Sequence, residues 1–289
     1  MIRLTQGAVL GAALSLACIG AQAVTLVGLT SANQIVRFDT AAMGMEMPMA
    51  ITGLSMAGER LVGIDNRPGD GMIYGVSTAN KIYTVNEMTG VATWKADLNL
   101  AVIDPGRGYG IDFNPVADFN GAASLRLVST SGENFAINAN TGVVGNAANM
   151  IAAGYSAVAY TNSMTMPSMA PAGTALYYID SSNDRLAMAP GAFNSPTIMN
   201  LGMLGVDVLK ANGFEISGGL GYAALNVDGA SLDTGIYSIN LMTGAATMIG
   251  AYNGTLSGLT VSAVPEPQTY AMLLAGLMGL GFVARRRAR

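Results

Sequence analysis

Histidine is absent from the chain, and cysteine occurs once, at Cys18. Disulfide frameworks, thiol nucleophiles in the exported part, histidine general bases and zinc sites built from these ligands are therefore excluded. Charge is also scarce. Charged residues make up 11% of the chain, under half of the ~25% usual in soluble domains, which is too few for a nucleic-acid binder and a poor match to an ordinary cytosolic enzyme. Between the two ends no stretch shows a sustained helical period with caps.

What is present begins with two unusual ends. Residues 1–23 combine a basic start at Arg3, an apolar run from Ala8 to Ile19 and the small triplet Ala21-Gln22-Ala23, the pattern of a cleaved secretory signal. Twelve apolar residues fall short of the ~20 needed to span a bilayer. Cys18 leaves with the signal, and Ser15, three positions before it, does not suit lipid attachment.

The other end reads Pro265-Glu266-Pro267, an uncharged stretch 268–284, then Arg285-Arg286-Arg287-Ala288-Arg289. A 17-residue apolar stretch is at the short limit for a transmembrane helix. Its basic flank should stay cytoplasmic and leave the preceding domain outside. This order resembles the PEP-CTERM sorting tail of Gram-negative bacteria that make exopolysaccharide. The resemblance implies a transient inner-membrane anchor, a periplasmic ectodomain, processing near Pro265, Glu266 and Pro267 by a protease of the exosortase type, and a cell-surface or extracellular destination.

Between the ends, residues 24–264 carry 3 Lys and 6 Arg against 12 Asp and 5 Glu, a formal charge of −8 where the whole chain has −4. An acidic surface repels phosphate backbones and anionic lipid. This ectodomain alternates four- to seven-residue runs of Val, Ile, Tyr and Leu with Gly, Asn, Thr and Ser, the strand-and-turn signature.

Internal repetition sharpens the fold. Ile82-Tyr83-Thr84-Val85-Asn86-Glu87-Met88-Thr89-Gly90 recurs at Phe135 to Gly142 and at Ile236 to Gly244, with weaker copies ending at Gly44 and Gly191. In each strong copy Asn ends a strand by capping the turn and Gly takes the positive φ of a bulged hairpin. A second repeat, Gly63-Ile64-Asp65-Asn66-Arg67-Pro68, returns at Gly110-Ile111-Asp112-Phe113-Asn114-Pro115 and, more weakly, at Ala157 to Asn162. Units of about fifty residues fit propeller blades. The reading is an all-β, five-bladed β-propeller, with 256–263 supplying the inner strand that blade 1 lacks. One blade should comprise strands 60–66, 72–77, 81–86 and 91–96. A β-sandwich is the alternative, but nothing in a sandwich requires an equal step.

The ectodomain also resembles a family of secreted bacterial domains of unknown function, through Leu26 to Thr30, Ile35 to Asp39, Leu61 to Pro68, Gly110 to Pro115 and Asn134 to Gly142. The family pattern has an aromatic where this chain has Asn66, and a short turn where it has 118–124. The resemblance implies a propeller and no established activity.

Three groups of residues are candidate sites. Asp65, Arg67, Asp112 and Asn114 occupy equivalent inner-strand positions of neighbouring blades, and Glu215 belongs near another. Together at a channel mouth they would bind a cation or a sugar, or act as acid and base. Taken singly, each Asp would only brace the turn before a proline. Asp118 and Asn120, and Asp228 with Asp233, offer oxygens at alternate positions as calcium loops do, without the bidentate Glu of a complete loop. Met43, Met45, Met47 and Met49 alternate, which in a strand puts four thioethers on one face as soft ligands for Cu(I) or as packing against the next blade.

No catalytic residues and no cofactor other than calcium are expected. The favoured function is a non-catalytic interaction module linked to exopolysaccharide or biofilm matrix, with an exosortase-type protease, exopolysaccharide and other surface proteins as partners. The alternatives are a glycan lyase or hydrolase that uses the channel carboxylates, and a methionine-based Cu(I) binder.

Overall fold

The computed structural model describes residues 24–44, 46–229 and 233–262. The signal 1–23, Met45, the stretch 268–284 and the sorting residues Pro265, Glu266, Pro267, Arg285, Arg286 and Arg287 lie outside them. Among the described residues no helix is long and apolar enough to cross a membrane.

Among the described residues, twenty strands form five four-stranded antiparallel sheets. Blade 1 holds Thr25–Thr30 (β1), Gln34–Asp39 (β2) and Met49–Ala50 (β3). Blade 2 holds Leu61–Asn66 (β4), Ile73–Ser77 (β5), Lys81–Val85 (β6) and Ala92–Asp97 (β7). Blade 3 begins with Tyr109–Phe113 (β8), inserts the helix Pro115–Phe119 (α1), and continues with Ser124–Ser129 (β9), Asn134–Asn138 (β10) and Val144–Gly145 (β11). Blade 4 is Tyr155–Tyr160 (β12), Leu176–Asp180 (β13), Arg185–Ala189 (β14) and Met199–Met203 (β15). Blade 5 is Val208–Ser217 (β16), Leu220–Val227 (β17), Thr234–Ile239 (β18) and Ala246–Tyr252 (β19). The last strand, Leu256–Val261 (β20), pairs with β1, so that blade 1 has the order β20-β1-β2-β3. The two ends of the domain thus interlock in one sheet.

The repeated turn folds as its residues dictate. Asn86, Asn138 and Asn240 each accept two backbone N–H groups through Oδ1. The N–H groups of Gly90, Gly142 and Gly244 return to the same asparagines' carbonyls at 2.8 Å, with φ of 71°, 72° and 81°. The weak copy at Gly191 departs from this, since Gly191 is not among the residues with positive φ.

Each blade packs its flat face on the next through alternate apolar residues. Between blades 2 and 3, for instance, Tyr74, Val76 and Ile82 meet Ile111, Phe113 and Leu125 in one buried cluster. Helix α1 is absent from the alternation pattern. Asn114 is its N-cap, accepting N–H groups of Val116 and Ala117, and Pro115 opens its first turn, a start signal carried by the Asn-Pro pair itself.

Met45 lies outside the described residues; of Met43, Met47 and Met49, only Met49 lies in a strand, the two-residue β3. Pro48 supplies no N–H for a ladder. Met43 packs on blade 5, where a Cβ on Gly250 would meet its side chain, while Met47 is 84% exposed. Met43, Met47 and Met49 therefore share no face.

Candidate functional site

The five inner strands run side by side around the axis and carry one repeated triplet: Gly258-Leu259-Thr260, Gly63-Ile64-Asp65, Gly110-Ile111-Asp112, Ala157-Val158-Ala159 and Gly213-Phe214-Glu215. Its first position is small because the strands nearly touch. A Cβ on Gly213 would lie 2.3 Å from Leu259 N, and one on Gly110 would lie 2.8 Å from the Cα of Ala157. The second position closes the axis: Ile64, Ile111, Val158, Phe214 and Leu259 border a cavity of only about 10 Å³, room for one water at most.

The third position is polar and works between blades. An inner strand is a sheet edge, and its axis-facing N–H groups have no ladder partner. The preceding blade supplies one. Asn66 N–H donates to Thr260 Oγ1 (3.0 Å), Phe113 N–H to Asp65 Oδ2 (2.7 Å) and Tyr160 N–H to Asp112 Oδ1 (3.0 Å). Val261 N–H bonds Glu215 in the same way, and Glu215 Oε1 also accepts its neighbour's Ile216 N–H (2.8 Å). Ala159 has no acceptor, and Ser156 Oγ instead joins blades 4 and 5 by donating to Ala211 O (3.0 Å).

Asp65, Asp112 and Glu215 are thus brought together. They are 2–3% exposed, and one oxygen from each lies within 4.8 Å of the others. Burial, and then the negative charge of Glu215, pushes the Asp65 carboxyl well above the usual carboxylate range. Burial followed by the charges of Asp65 and Glu215 does the same for Asp112, and burial raises Glu215. Geometry demands protons here independently. Thr260 Oγ1 lies 2.9 Å from Asp65 Oδ1 and 2.8 Å from Glu215 Oε2. It accepts Asn66 N–H already and has a single hydrogen to donate, so one of the two carboxyls must itself be a protonated donor.

Arg67 and Asn114 do not join this cluster. Asn114 caps α1. Arg67 Nε pairs with Asp118 Oδ1 (2.7 Å), its Nη1 reaches Asp70, Tyr74 and Asn140, and its guanidinium packs 5.6–5.8 Å from the rings of Tyr74 and Phe113. Asp118 is also one of the expected calcium-loop oxygens. It is 4% exposed inside α1, and its second oxygen accepts Gly69 N–H (2.6 Å). Its two oxygens thus hold Arg67 and Gly69, and Asn120 Nδ2 folds back onto Val116 O. In the other loop Asp233 Oδ1 accepts Gly254 N–H, and Asp228 is exposed.

The two faces of the propeller differ. Inner strands end on the face where Ser262 leaves the domain, its N–H on Thr25 O and its Oγ on Glu87. Val24 enters on this face too. On the opposite face, where inner strands begin, a funnel of about 480 Å³ opens over the axis. Three cations border it, Arg60, Arg107 and Lys210. The sequence reading missed them because they fall in unlike positions: two precede their strands, and Lys210 lies within β16 beside one of its two register shifts. Thr260 was missed as well, although its Gly-Leu-Thr triplet matches Gly63-Ile64-Asp65.

A family model described as a PEP-CTERM protein-sorting motif matches residues 263–287. It marks the chain as exported through the membrane of a Gram-negative bacterium and sorted by an exosortase. Among curated proteins no sequence match is found. Similar solved structures include a chain of the nidogen/laminin complex, at 10% identity and TM-score 0.47, covering 83% of this chain and 98% of that one. Regucalcin, a calcium-binding protein from Agrobacterium tumefaciens strain C58, is similar at 16% identity and TM-score 0.41, over 77% of this chain and 68% of that one. Residues 34–260 match the model of the domain of unknown function DUF4394, and this five-bladed propeller with its exosortase sorting tail belongs to that family.

Proposed function

We propose that the chain is a surface-displayed or matrix-associated binding module that contacts exopolysaccharide or other surface proteins through its rims. Its organisation is a signal at 1–23, an ectodomain at 24–264 and a tail at 265–289 that holds a transmembrane helix at 268–284 until exosortase cleavage near Pro265 to Pro267. The observation that carries this reading is the seclusion of the carboxylates. Asp65, Asp112 and Glu215 lie beneath an axis closed by five apolar side chains, and their oxygens bind backbone N–H groups of adjoining blades. Glycosidase carboxyls must flank a bound sugar, and no sugar reaches these. Val24 and Ser262 lie on one face of the propeller and the funnel opens on the opposite one, which also supports display.

The test is co-sedimentation of the secreted protein with exopolysaccharide of the producing cells, together with assay of newly formed reducing or unsaturated sugar ends. Retention without new ends is expected. Release of ends that is lost in Asp112→Asn would establish the glycan-active alternative. Calcium is a second reading, favoured by three carboxylate oxygens within 4.8 Å of one another. Calcium needs six to eight oxygens, so this reading requires a thermal midpoint that climbs with calcium concentration in wild type and not in Asp112→Asn.

A further inference from the structure

Only nine basic residues occur in 24–264, and three of them border one cavity. The funnel over the axis receives Arg60 from before β4, Arg107 from before β8 and Lys210 from β16, three different blades. Scattered surface cations in so acidic a domain would be expected to pair with its 17 carboxylates. Arg107 does so, with Asp104 and Glu133. Arg60 and Lys210 do not: among the described residues neither has an ion pair, and the Arg60 guanidinium meets only Pro105 O, at 3.4 Å. Both are exposed. Around them the funnel presents neutral hydrogen-bonding groups, among them the exposed Ser31 and Thr130 and the half-buried Ser257 and Asn212.

The volume, about 480 Å³, falls in the range of small-ligand sites. Register shifts in β16 at Val208/Lys210 and Ala211/Phe214 are bulges, which re-aim side chains and recur beside binding sites. Cations without partners attract an oxyanion, while hydroxyl and amide groups suit sugar hydroxyls. The net charge of −8 acts at longer range against a polyanion, so a short acidic ligand or the acidic end of a polysaccharide chain is favoured over the length of a charged polymer.

We infer that this funnel is a binding site for a short acidic saccharide, its carboxylate held between Arg60 and Lys210 and its hydroxyls by the polar rim. This rests on the binding-module reading and assigns that reading its site and ligand class. Other binding surfaces would leave the module reading standing without it.

The experiment is calorimetric titration of the full-length chain in detergent micelles with digalacturonate, digalactose and inorganic phosphate. Digalacturonate should bind at least tenfold more tightly than the neutral disaccharide. Arg60→Gln with Lys210→Gln should weaken it at least tenfold, while Lys95→Gln, on the outer strand β7, should leave it unchanged. Matching thermal midpoints would show that both variants are folded. Equal binding of acid and neutral sugar, no binding of digalacturonate, or indifference to the double substitution each overturns the inference. Phosphate binding as tight as digalacturonate would mark a simple anion site and overturn the saccharide assignment. Co-sedimentation with exopolysaccharide separates the two levels: association retained by the double variant overturns the site alone, whereas failure of the wild-type chain to associate overturns the module reading.

Discussion

Most proteins lose stability on acidification, and the axial carboxyls make the opposite contribution. A group whose pKa is higher in the folded than in the unfolded chain keeps its proton in the native state while the unfolded state releases it. The native state then binds more protons, and unfolding free energy falls as pH rises. The window opens near the unfolded carboxylate value of about 4 and closes at the raised native values of Asp65 and Asp112. Within it each group changes stability by about 1.4 kcal/mol per pH unit. For a domain of this size 1 kcal/mol corresponds to roughly 2–4 °C, so one such group shifts the midpoint by about 3–6 °C per unit. The three carboxyls titrate as one coupled set. Carboxyls held low in the folded state, such as Glu59 with its hydrogen bonds from Ser77, Tyr83 and Ser55, act with the opposite sign, so the useful quantity is a difference. Asp112→Asn keeps an acceptor for Tyr160 N–H and removes one buried titrating group. Thermal melts of both proteins from pH 5 to 8 should show the variant gaining on wild type as pH rises, and exceeding it at pH 8. A variant that is less stable than wild type across the whole range, by a constant margin, would refute the assignment of raised native values to these carboxyls.

Other consequences follow from neighbouring contacts. Gly213→Ala places a Cβ 2.3 Å from a backbone nitrogen that cannot swing away. It should cost about 3 kcal/mol, the upper part of the overpacking range, measurable as a midpoint lowered by roughly 6–12 °C. Gly191→Ala, with nothing within 4 Å of the new carbon, should be neutral or slightly stabilising in the same melt. Asp118→Ala leaves the Arg67 guanidinium without its shortest partner and should cost roughly 3 kcal/mol in denaturant titration, while digalacturonate binding on the opposite face stays as in wild type. Deletion of Pro265 to Pro267 should hold the protein in the membrane fraction of expressing cells, and normal release of that deletion would remove the sorting role of the motif.

The sequence by itself determined the blade count, the interlocked closure and the trafficking class. Each of these is written in local, periodic chemistry: an Asn cap with a left-handed Gly four residues later, a Gly-Ile-Asp step of 47 residues, an apolar stretch between Pro-Glu-Pro and arginines. Grouping Asp65, Asp112 and Glu215 was also within its reach, because equal position in equal repeats implies nearness around an axis. The tertiary structure alone decided what the grouped residues face. Arg67 follows Asp65 by two positions yet leaves the axis, because Asp118 of an inserted helix takes its guanidinium, and no repeat announces that pair. The apolar plug that hides the carboxyls depends on five side chains meeting from five blades. Arg60, Arg107 and Lys210 have no common motif and come together only because a closed ring returns residue 210 to the neighbourhood of residue 60. Local rules shape each blade, and burial and charge pairing across blades are properties of the closed ring.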